Sequence, residues 1–292
     1  MIQLQRYILS IAGILVQLET DQCLSGERDF LPFLAAEGSP DYRASFRRVA
    51  HLPPIPDSVL YEGLCYRVHP DGKGGYLRSF FDPPRDMTPY AVAVYDYCRG
   101  IIQVDYLEKG AHCVSEMNNS FFHLGLEAML IYRERLCLHA ACVDTELGGI
   151  LFSGPSGIGK STQAELWCTY RGAHQINGDR PILSKGHDGW LAWGSPYAGS
   201  SRCHVNESCP VTAIVMLRQA KECSLRRLNR AEAFRSIWSG LTMNSWDERF
   251  VEAATDLTIE LIGKVPVLEF SCTPDEQAVD YLEQGLRKEC VL

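Results

Sequence analysis

A glycine-rich run near the middle of the chain carries the clearest chemistry in this sequence. It reads Gly-Pro-Ser-Gly-Ile-Gly-Lys-Ser-Thr over 154–162 and fits G-x-x-x-x-G-K-[ST], the pattern of a phosphate-binding loop. Backbone N–H groups of such a loop point inward, and the following helix N-terminus adds partial positive charge, so a polyphosphate is held there. The residues predicted to bind a nucleotide are Gly154, Ser156, Gly157, Ile158, Gly159, Lys160, Ser161 and Thr162.

Two side chains of this loop have distinct predicted roles. Lys160 is expected to reach the β and γ phosphates, and the Ser161 hydroxyl to bind Mg²⁺. Residues 149–153 have the composition of a short buried strand, and residues 163–167 that of the start of a helix. Strand, glycine turn and helix in this order is the context that supports the motif. The alternative is a glycine-rich turn that binds nothing.

An acidic residue follows the loop at short range. Residues 174–183 are predicted to form a strand that holds Asp179, nineteen residues beyond Lys160. A carboxylate there could bind Mg²⁺ or take a proton from an acceptor hydroxyl. In the common doubly wound NTPases the metal-binding acidic strand comes later, so this order indicates a different phosphate-loop fold. The alternative is an aspartate in a turn before Pro181.

Two further residues are candidates for the same site. His139 lies in the apolar stretch 136–143, which is predicted to be a buried strand beside the strand that feeds the loop. From this position, a functional role for His139 and the role of an ordinary core histidine are equally favoured. Arg202 ends the glycine- and hydroxyl-rich segment 194–202, which is either a surface loop or a segment that faces phosphate, where an arginine neutralises charge.

Composition limits the classes of protein that this chain can belong to. Its 292 residues are 46% hydrophobic and 22% charged, which is ordinary for a globular protein of one or two domains. The formal net charge of -8 disfavours a nucleic-acid binder. None of the 12 cysteines forms a C-x-x-C pair, and Cys203, His204 and Cys209 match no common zinc spacing. We therefore expect reduced cysteines that pack as small apolar side chains.

The first part of the chain is predicted to be a β-rich domain over residues 1–110. Gly- and Pro-containing turns separate its short strands, and this spacing indicates an antiparallel sheet. Residues 64–68 and 76–80 are expected to form a hairpin across Asp71-Gly72. The apolar segment 7–18 is too short to span a bilayer and lacks the features of a signal peptide. We expect it to be a buried strand and the protein to be cytoplasmic, without a membrane partner.

Residues 111–292 are predicted to form a second domain in which helices and strands alternate. One core-packing helix is expected over 117–135, because its apolar residues recur along one stripe. Further helices are expected at about 161–170, 230–241, 247–263 and 274–288, and further strands at 190–193, 211–217, 225–228 and 266–270. Asn229 is a predicted N-cap, and Gly172 a predicted C-cap.

The stretch from His139 to Asp179 resembles the superfamily of HPr kinase/phosphorylase and ATP-type phosphoenolpyruvate carboxykinase. The resemblance is carried by the loop with its internal Ser156-Gly157 pair, by the His139 segment before it and by Asp179 soon after it. It implies an α/β fold with a mixed sheet, in which Lys160, Ser161 and Asp179 bind nucleotide and metal. HPr kinases carry two adjacent aspartates where this chain has Gly178-Asp179, so the general base is left open.

The resemblance implies an ATP- and Mg²⁺-dependent kinase with Lys160, Asp179 and His139 as its catalytic residues. The acceptor is expected to be a hydroxyl, with serine as the first choice, on a peptide, a protein or a small molecule. One alternative is an ATP-binding regulatory protein without transfer activity, and another is a phosphorylase or carboxykinase reaction. Because HPr kinases form hexamers, a homo-oligomer is also left open.

Overall fold

The computed structural model describes residues 4–25, 30–197, 199–201, 203 and 205–289. The chain is mixed α/β with two mixed sheets, as its predicted class requires. It divides into two compact units, the N-terminal unit Met1–Tyr132 and the C-terminal unit Arg133–Leu292. The helical segment after residue 110 lies in the N-terminal unit, whereas the predicted domains meet at residue 110.

The N-terminal unit is built on a mixed sheet. Its strands are β1 (Gln5–Ile11), β2 (Ile14–Thr20), β3 (Tyr42–Arg48), β4 (Tyr61–Glu62), β5 (Tyr66–Pro70), β6 (Tyr76–Asp82), β7 (Asp86–Asp96) and β8 (Ile101–Tyr106). In the described part of this unit the eight strands lie in the order β1-β2-β3-β8-β7-β6-β5-β4. β3 runs parallel to β2 and β8, so the prediction of an antiparallel sheet is wrong. The connection 21–41 is long enough for the crossover that parallel strands need.

The apolar segment 7–18 forms parts of two strands and not the single strand predicted. Ala12 and Gly13 have φ values of 48° and 76°, and two left-handed residues in succession make a tight hairpin turn. Ile11 and Ile14 pair across this turn. The apolar pattern runs through the turn without a break, which is why the sequence hides it. The hairpin predicted between β5 and β6 is confirmed.

Three short helices follow β8. They are α1 (Ala111–Ser115), α2 (Met117–Leu124) and α3 (Leu126–Ile131). The single helix predicted over 117–135 is wrong, because Gly125 takes a left-handed φ of 63° and ends α2. A Cβ at Gly125 would collide with the Tyr97 hydroxyl, so close packing requires the glycine there. Phe122 packs on Phe80 with ring centroids 5.4 Å apart, which fixes α2 against the sheet.

The C-terminal unit has a second mixed sheet. Its strands are β9 (Arg135–Cys137), β10 (Ala140–Thr145), β11 (Gly148–Ser153), β12 (His174–Asn177), β13 (Ile182–Lys185), β14 (Trp190–Trp193), β15 (Ser208–Gln219), β16 (Ser224–Arg227) and β17 (Val267–Cys272). Among the described residues of this unit the order is β12-β10-β11-β15-β14-β13-β9, and β17 pairs with both β15 and β16. β15 runs parallel to β11 and β17, and the other pairs are antiparallel.

Four helices pack with this sheet at the predicted places. They are α4 (Lys160–Arg171), α5 (Arg230–Gly240), α6 (Glu248–Lys264) and α7 (Glu276–Glu289). The predicted caps are confirmed: Gly172 ends α4 in a left-handed conformation, and Asn229 begins α5 in a capping box with Glu232. Trp167 of α4 is 1% exposed and packs among apolar side chains of β10, β11 and β15. This core holds α4, and therefore the loop before it, on the sheet.

Two predicted strands of this unit are interrupted. The stretch 136–143 divides into β9 and β10, and the stretch 174–183 divides into β12 and β13. Both breaks occur because β9 pairs with β13 while β10 pairs with β12, so each chain segment changes partner midway. His139 and Asp179 therefore lie in bends between strands and not within strands as predicted.

No helix within the described parts of the chain is both long and apolar enough to cross a bilayer.

Candidate active site

The topology of the C-terminal unit places three chain segments at one edge of its sheet. The glycine-rich loop leaves the carboxyl end of β11 at Ser153, and Ala140 of the antiparallel β10 pairs with that residue. β12 is antiparallel to β10 and ends at Asn177, which pairs with Cys142. The loop, the residue before β10 and the residues after β12 therefore meet at the same edge. These segments contain Lys160, His139 and Asp179, respectively.

The loop between β11 and α4 has the backbone shape that its glycines permit. Gly157 and Gly159 have φ values of 76° and 113°, which side chains with a Cβ rarely adopt. Apart from each glycine's own chain neighbours, no heavy atom of the described residues lies within 4 Å of a Cβ built at either glycine, so the described part of the chain leaves open space there. The loop then enters α4 directly, because the N–H of Gln163 donates to the Gly159 carbonyl oxygen at 2.9 Å.

The Lys160 side chain folds back over the loop that precedes it. Lys160 is 8% exposed, and its Nζ donates to the carbonyl oxygens of Gly154 at 3.2 Å and Pro155 at 3.1 Å. Burial lowers the pKa of the Lys160 ammonium, and the Asp179 carboxylate opposes this shift. The lysine ammonium thus contacts the loop backbone and interacts electrostatically with the Asp179 carboxylate.

The turn that carries Asp179 is built by Asn177. Asn177 is fully buried, and its Oδ1 accepts hydrogen bonds from the N–H groups of Asp179 at 2.9 Å and Arg180 at 2.7 Å. Its Nδ2 donates to the carbonyl oxygens of Tyr197 at 3.1 Å and Ser195 at 3.3 Å. One amide side chain therefore shapes the acidic turn and ties it to the segment after β14.

His139 faces the Asp179 carboxylate. Its Nε2 lies 3.4 Å from Asp179 Oδ1, and Asp179 Oδ2 lies 3.4 Å from Nε of Arg180. Burial lowers the pKa of His139, the charges of Lys160 and Arg180 lower it further, and Asp179 acts in the opposite direction. These interactions favour a neutral imidazole that can accept a proton. Arg180 is itself fixed, because its Nη1 donates to Thr242 Oγ1 at 2.5 Å.

The backbone around His139 is held on both sides. The N–H of His139 donates to the Gly240 carbonyl oxygen at the end of α5 at 2.8 Å, and the His139 carbonyl oxygen accepts from Ser153 Oγ at 2.9 Å. The N–H of Ala140 donates to the Asp179 carbonyl oxygen at 3.0 Å. The His139 bend is therefore bonded to the strand before the loop, to the acidic turn and to α5.

Gly178 directly precedes Asp179 in the acidic turn. A Cβ at this position would collide with the side chain of Ser201. From the other side, a Cβ at Gly199 would lie 2.8 Å from Cβ of Asp179. The short turn Gly199–Ser201 thus packs directly on the acidic turn. A second carboxylate fits only if this turn moves.

The structure brings His139, Lys160 and Asp179 together, as the sequence predicts. Ser161 is half-buried and Thr162 exposed in the first turn of α4, with the other predicted loop residues immediately before them. Arg202 lies outside the described residues. Nucleotide binding by the loop and by Arg202, and Mg²⁺ binding by Ser161 and Asp179, stay predictions.

Two residues of the site were not predicted from the sequence as functional candidates. Arg180 forms an ion pair with the Asp179 carboxylate, and Asn177 supports the turn that holds both residues. The signal for Asn177 is its position two residues before Asp179, because asparagine side chains commonly accept the N–H two residues on. Arg180 could have been found from its place beside the predicted acidic residue.

Comparisons with known proteins show distant similarity to solved structures alone. No protein-family model matches the chain, and no curated protein matches it. Among solved structures, the HPr(Ser) kinase/phosphatase from Coxiella burnetii is similar to part of the chain at 14% identity and a TM-score of 0.33. The match covers 52% of this chain and 97% of that chain. A similarity at this level does not assign the chain to that family.

Proposed function

We propose that this chain is a Mg²⁺- and ATP-dependent kinase that transfers the γ-phosphoryl group of ATP to a hydroxyl group. The observation that carries the proposal is the His139–Asp179 contact beside Lys160 of the glycine-rich loop. A phosphate loop by itself accounts for nucleotide binding. A carboxylate and an imidazole beside its lysine add a group that can accept a proton, which transfer to a hydroxyl requires.

The residues of the loop fit a nucleotide phosphate. The open space at Gly157 and Gly159 leaves room for phosphate oxygens, and the Lys160 ammonium already lies over the loop carbonyls. In the proposed complex the backbone N–H groups of 156–161 would bind the phosphates of ATP. Ser161 and Asp179 would hold Mg²⁺, which neutralises phosphate charge when it is bound.

The proposed reaction forms one bond and breaks one. The acceptor hydroxyl oxygen bonds to the γ-phosphorus, and the bond from that phosphorus to the β–γ bridging oxygen breaks, so ADP leaves. The hydroxyl proton passes to the Asp179–His139 pair. The lowered pKa of His139 keeps its imidazole neutral and so available to accept this proton, and Lys160 and Arg180 stabilise the negative charge on the transferred group.

The acceptor class follows from the resemblance described above. We propose a hydroxyl on a peptide, a protein or a small molecule, with a serine side chain as the first candidate. On the same resemblance, we propose that this chain can form a homo-oligomer, as HPr kinases do. The activity test therefore begins with a mixture of acceptors.

The decisive experiment follows labelled γ-phosphate from ATP into a peptide and metabolite extract. The full chain should label an acceptor in the presence of Mg²⁺, and Lys160→Ala should remove most of the label. Lys185→Ala is a matched control, because Lys185 is a surface lysine of the same unit that pairs with Glu260 at 2.7 Å. Equal labelling by Lys160→Ala and the wild-type chain would overturn the proposal.

A second function is favoured by the environment of Gly178. Where HPr kinases have a second aspartate, this chain has a glycine against which Ser201 packs. The alternative is therefore an ATP-binding regulatory protein that performs no transfer. It predicts tight binding of ATP that Lys160→Ala abolishes, with no ADP release in cell extract. ADP release that depends on Lys160 would rule this alternative out.

A further inference from the structure

The N-terminal unit brings together three side chains of the kinds that bind transition metals. Asp82 ends β6, and His112 and Cys113 lie in α1. We propose that these three residues form a binding site for a divalent transition-metal ion of the zinc type. Among the described residues, this trio is the cluster of His, Cys, Asp or Glu side chains whose ligand atoms lie close enough together to bind one ion. The proposal uses none of the residues of the proposed kinase site and does not depend on that function.

The two distances from His112 Nε2 to the other ligand atoms match those around a coordinated ion. His112 Nε2 lies 3.3 Å from Asp82 Oδ2 and 3.3 Å from Cys113 Sγ, and the three atoms all lie within 4.8 Å of one another. In a tetrahedral zinc site with bonds of about 2.0 Å to nitrogen and oxygen and about 2.3 Å to sulfur, ligand atoms are about 3.3–3.6 Å apart. The ion could therefore enter with small side-chain adjustments.

His112 Nε2 contacts both Asp82 Oδ2 and Cys113 Sγ, and a hydrogen bond explains only one of these two contacts at a time. If His112 Nε2 carries a hydrogen, that hydrogen points at either the Asp82 carboxylate or the Cys113 sulfur. If Nε2 carries a lone pair, it can accept from the Cys113 thiol, but it then faces a carboxylate oxygen lone pair to lone pair. A metal ion removes this conflict, because it accepts a lone pair from all three atoms.

The surroundings of the trio support a ligand role for Cys113. The Tyr90 hydroxyl hydrogen-bonds with the Cys113 side chain and also lies 2.9 Å from His123 Nε2. Tyr90 is 6% exposed, so this phenol is a fixed hydrogen-bond partner of the sulfur, as residues behind metal ligands commonly are. The Arg85 guanidinium lies 3.7 Å from the Asp82 carboxylate. Arg85 is largely exposed, so it competes weakly with an ion for the carboxylate.

The ligand set selects the class of ion. Thiolate and imidazole ligands suit Zn²⁺ and Co²⁺, whereas Mg²⁺ and Ca²⁺ prefer oxygen ligands alone. Three protein ligands leave one tetrahedral position for water or another donor. The side chain of His112 is 57% exposed, so an ion can reach the site from solvent.

Cobalt(II) titration of the reduced, untagged chain tests the site directly, because bound Co²⁺ reports its own ligands. With Cys113 as a ligand, bound Co²⁺ should show a thiolate-to-cobalt charge-transfer band and the visible bands of a tetrahedral ion. Added Zn²⁺ should displace the Co²⁺ and so remove both. Cys113→Ser should abolish the charge-transfer band, and His112→Ala should weaken binding at least tenfold. Cys98→Ser and His51→Ala are the matched controls, since both are exposed residues of the same unit, and they should leave the titration unchanged.

Circular dichroism of each variant establishes that it is folded before its titration is interpreted. Asp82→Asn is a second variant of nearly equal size that should weaken cobalt binding while leaving the charge-transfer band detectable at saturation. A charge-transfer band that persists in Cys113→Ser would overturn the site, as would the absence of any such band in the folded wild-type chain. Lys160→Ala should retain the band, which separates this result from failure of the proposed kinase activity.

Discussion

At the scale of the residue, the candidate active site depends on one buried amide. Asn177 accepts from two backbone N–H groups of the acidic turn and donates to the segment after β14, and it is fully buried. It touches none of the atoms proposed to react, so it is a positioning residue. Its removal would leave buried backbone groups without their partner and allow Asp179 to move away from His139.

Asn177→Ala should therefore reduce both stability and phosphoryl transfer. Each buried polar group that loses its partner costs about 1–3 kcal/mol, which should lower the unfolding free energy in urea denaturation. Asn229→Ala is a control that removes a capping side chain at the start of α5 and costs about 1 kcal/mol. This control should retain transfer. Full transfer by folded Asn177→Ala would contradict the positioning role.

His139 gives a pH dependence with a definite sign. Because its pKa in the folded protein is lowered, its contribution to stability is present above the unfolded value of about 6.5 and is lost as pH falls through the folded value. Transfer should fall over the same acidic range, because a protonated imidazole cannot share the hydroxyl proton.

Arg180→Gln should raise the pKa of His139. The arginine charge disfavours the imidazolium, so its removal should move both the NMR titration of the His139 ring and the acid limb of transfer to higher pH. A His139 titration that is the same in both proteins would show that Arg180 does not act on this ring.

At the scale of the element, the turn Gly199–Ser201 limits what the acidic turn can contain. Gly178→Asp would place a second carboxylate beside Asp179, but its Cβ would collide with Ser201. We expect the variant to lose about 1–3 kcal/mol of stability, as overpacked sites do, and to gain no transfer activity. Adding Ser201→Gly should recover much of that loss.

A double-mutant cycle of these two substitutions gives the interaction energy between positions 178 and 201, with each stability measured by chemical denaturation. Residues in direct contact should give a non-additive energy, whereas separated residues add. Additive effects of Gly178→Asp and Ser201→Gly would show that the two positions do not touch in solution. Gly178→Ala isolates the effect of the Cβ from that of the added charge.

The elements that the sequence predicts correctly are those that local interactions specify. The loop at 154–162 appears between a strand and a helix because glycine, lysine and hydroxyl residues form a local pattern, and Asn229 caps α5 through a bond to Glu232. The breaks at His139 and Asp179 come instead from a change of strand partner, which involves residues distant in the chain. Local patterns contain no information about that change, so both residues were predicted within continuous strands.

At the scale of the whole molecule, tryptophan fluorescence reports on the unfolding of the C-terminal unit alone. All five tryptophans, the first of which is Trp167, lie in the C-terminal unit. Tryptophan fluorescence during unfolding therefore follows the unit that contains the proposed ATP site. Any ligand that binds the native form of this unit must shift the transition that these residues report.

ATP with Mg²⁺ should raise the tryptophan-detected unfolding midpoint of the wild-type chain. At one hundred times its dissociation constant, a ligand that binds only the native state adds about 2.7 kcal/mol to the free energy of unfolding. Lys160→Ala should lose most of this gain, because its ammonium lies over the loop that would hold the phosphates, whereas Lys185→Ala should keep it. An equal gain in Lys160→Ala would place the nucleotide elsewhere. If ATP raises the unfolding midpoint only when Lys160 is present, and the chain transfers no labelled phosphate to any acceptor, the regulatory function is favoured over the kinase.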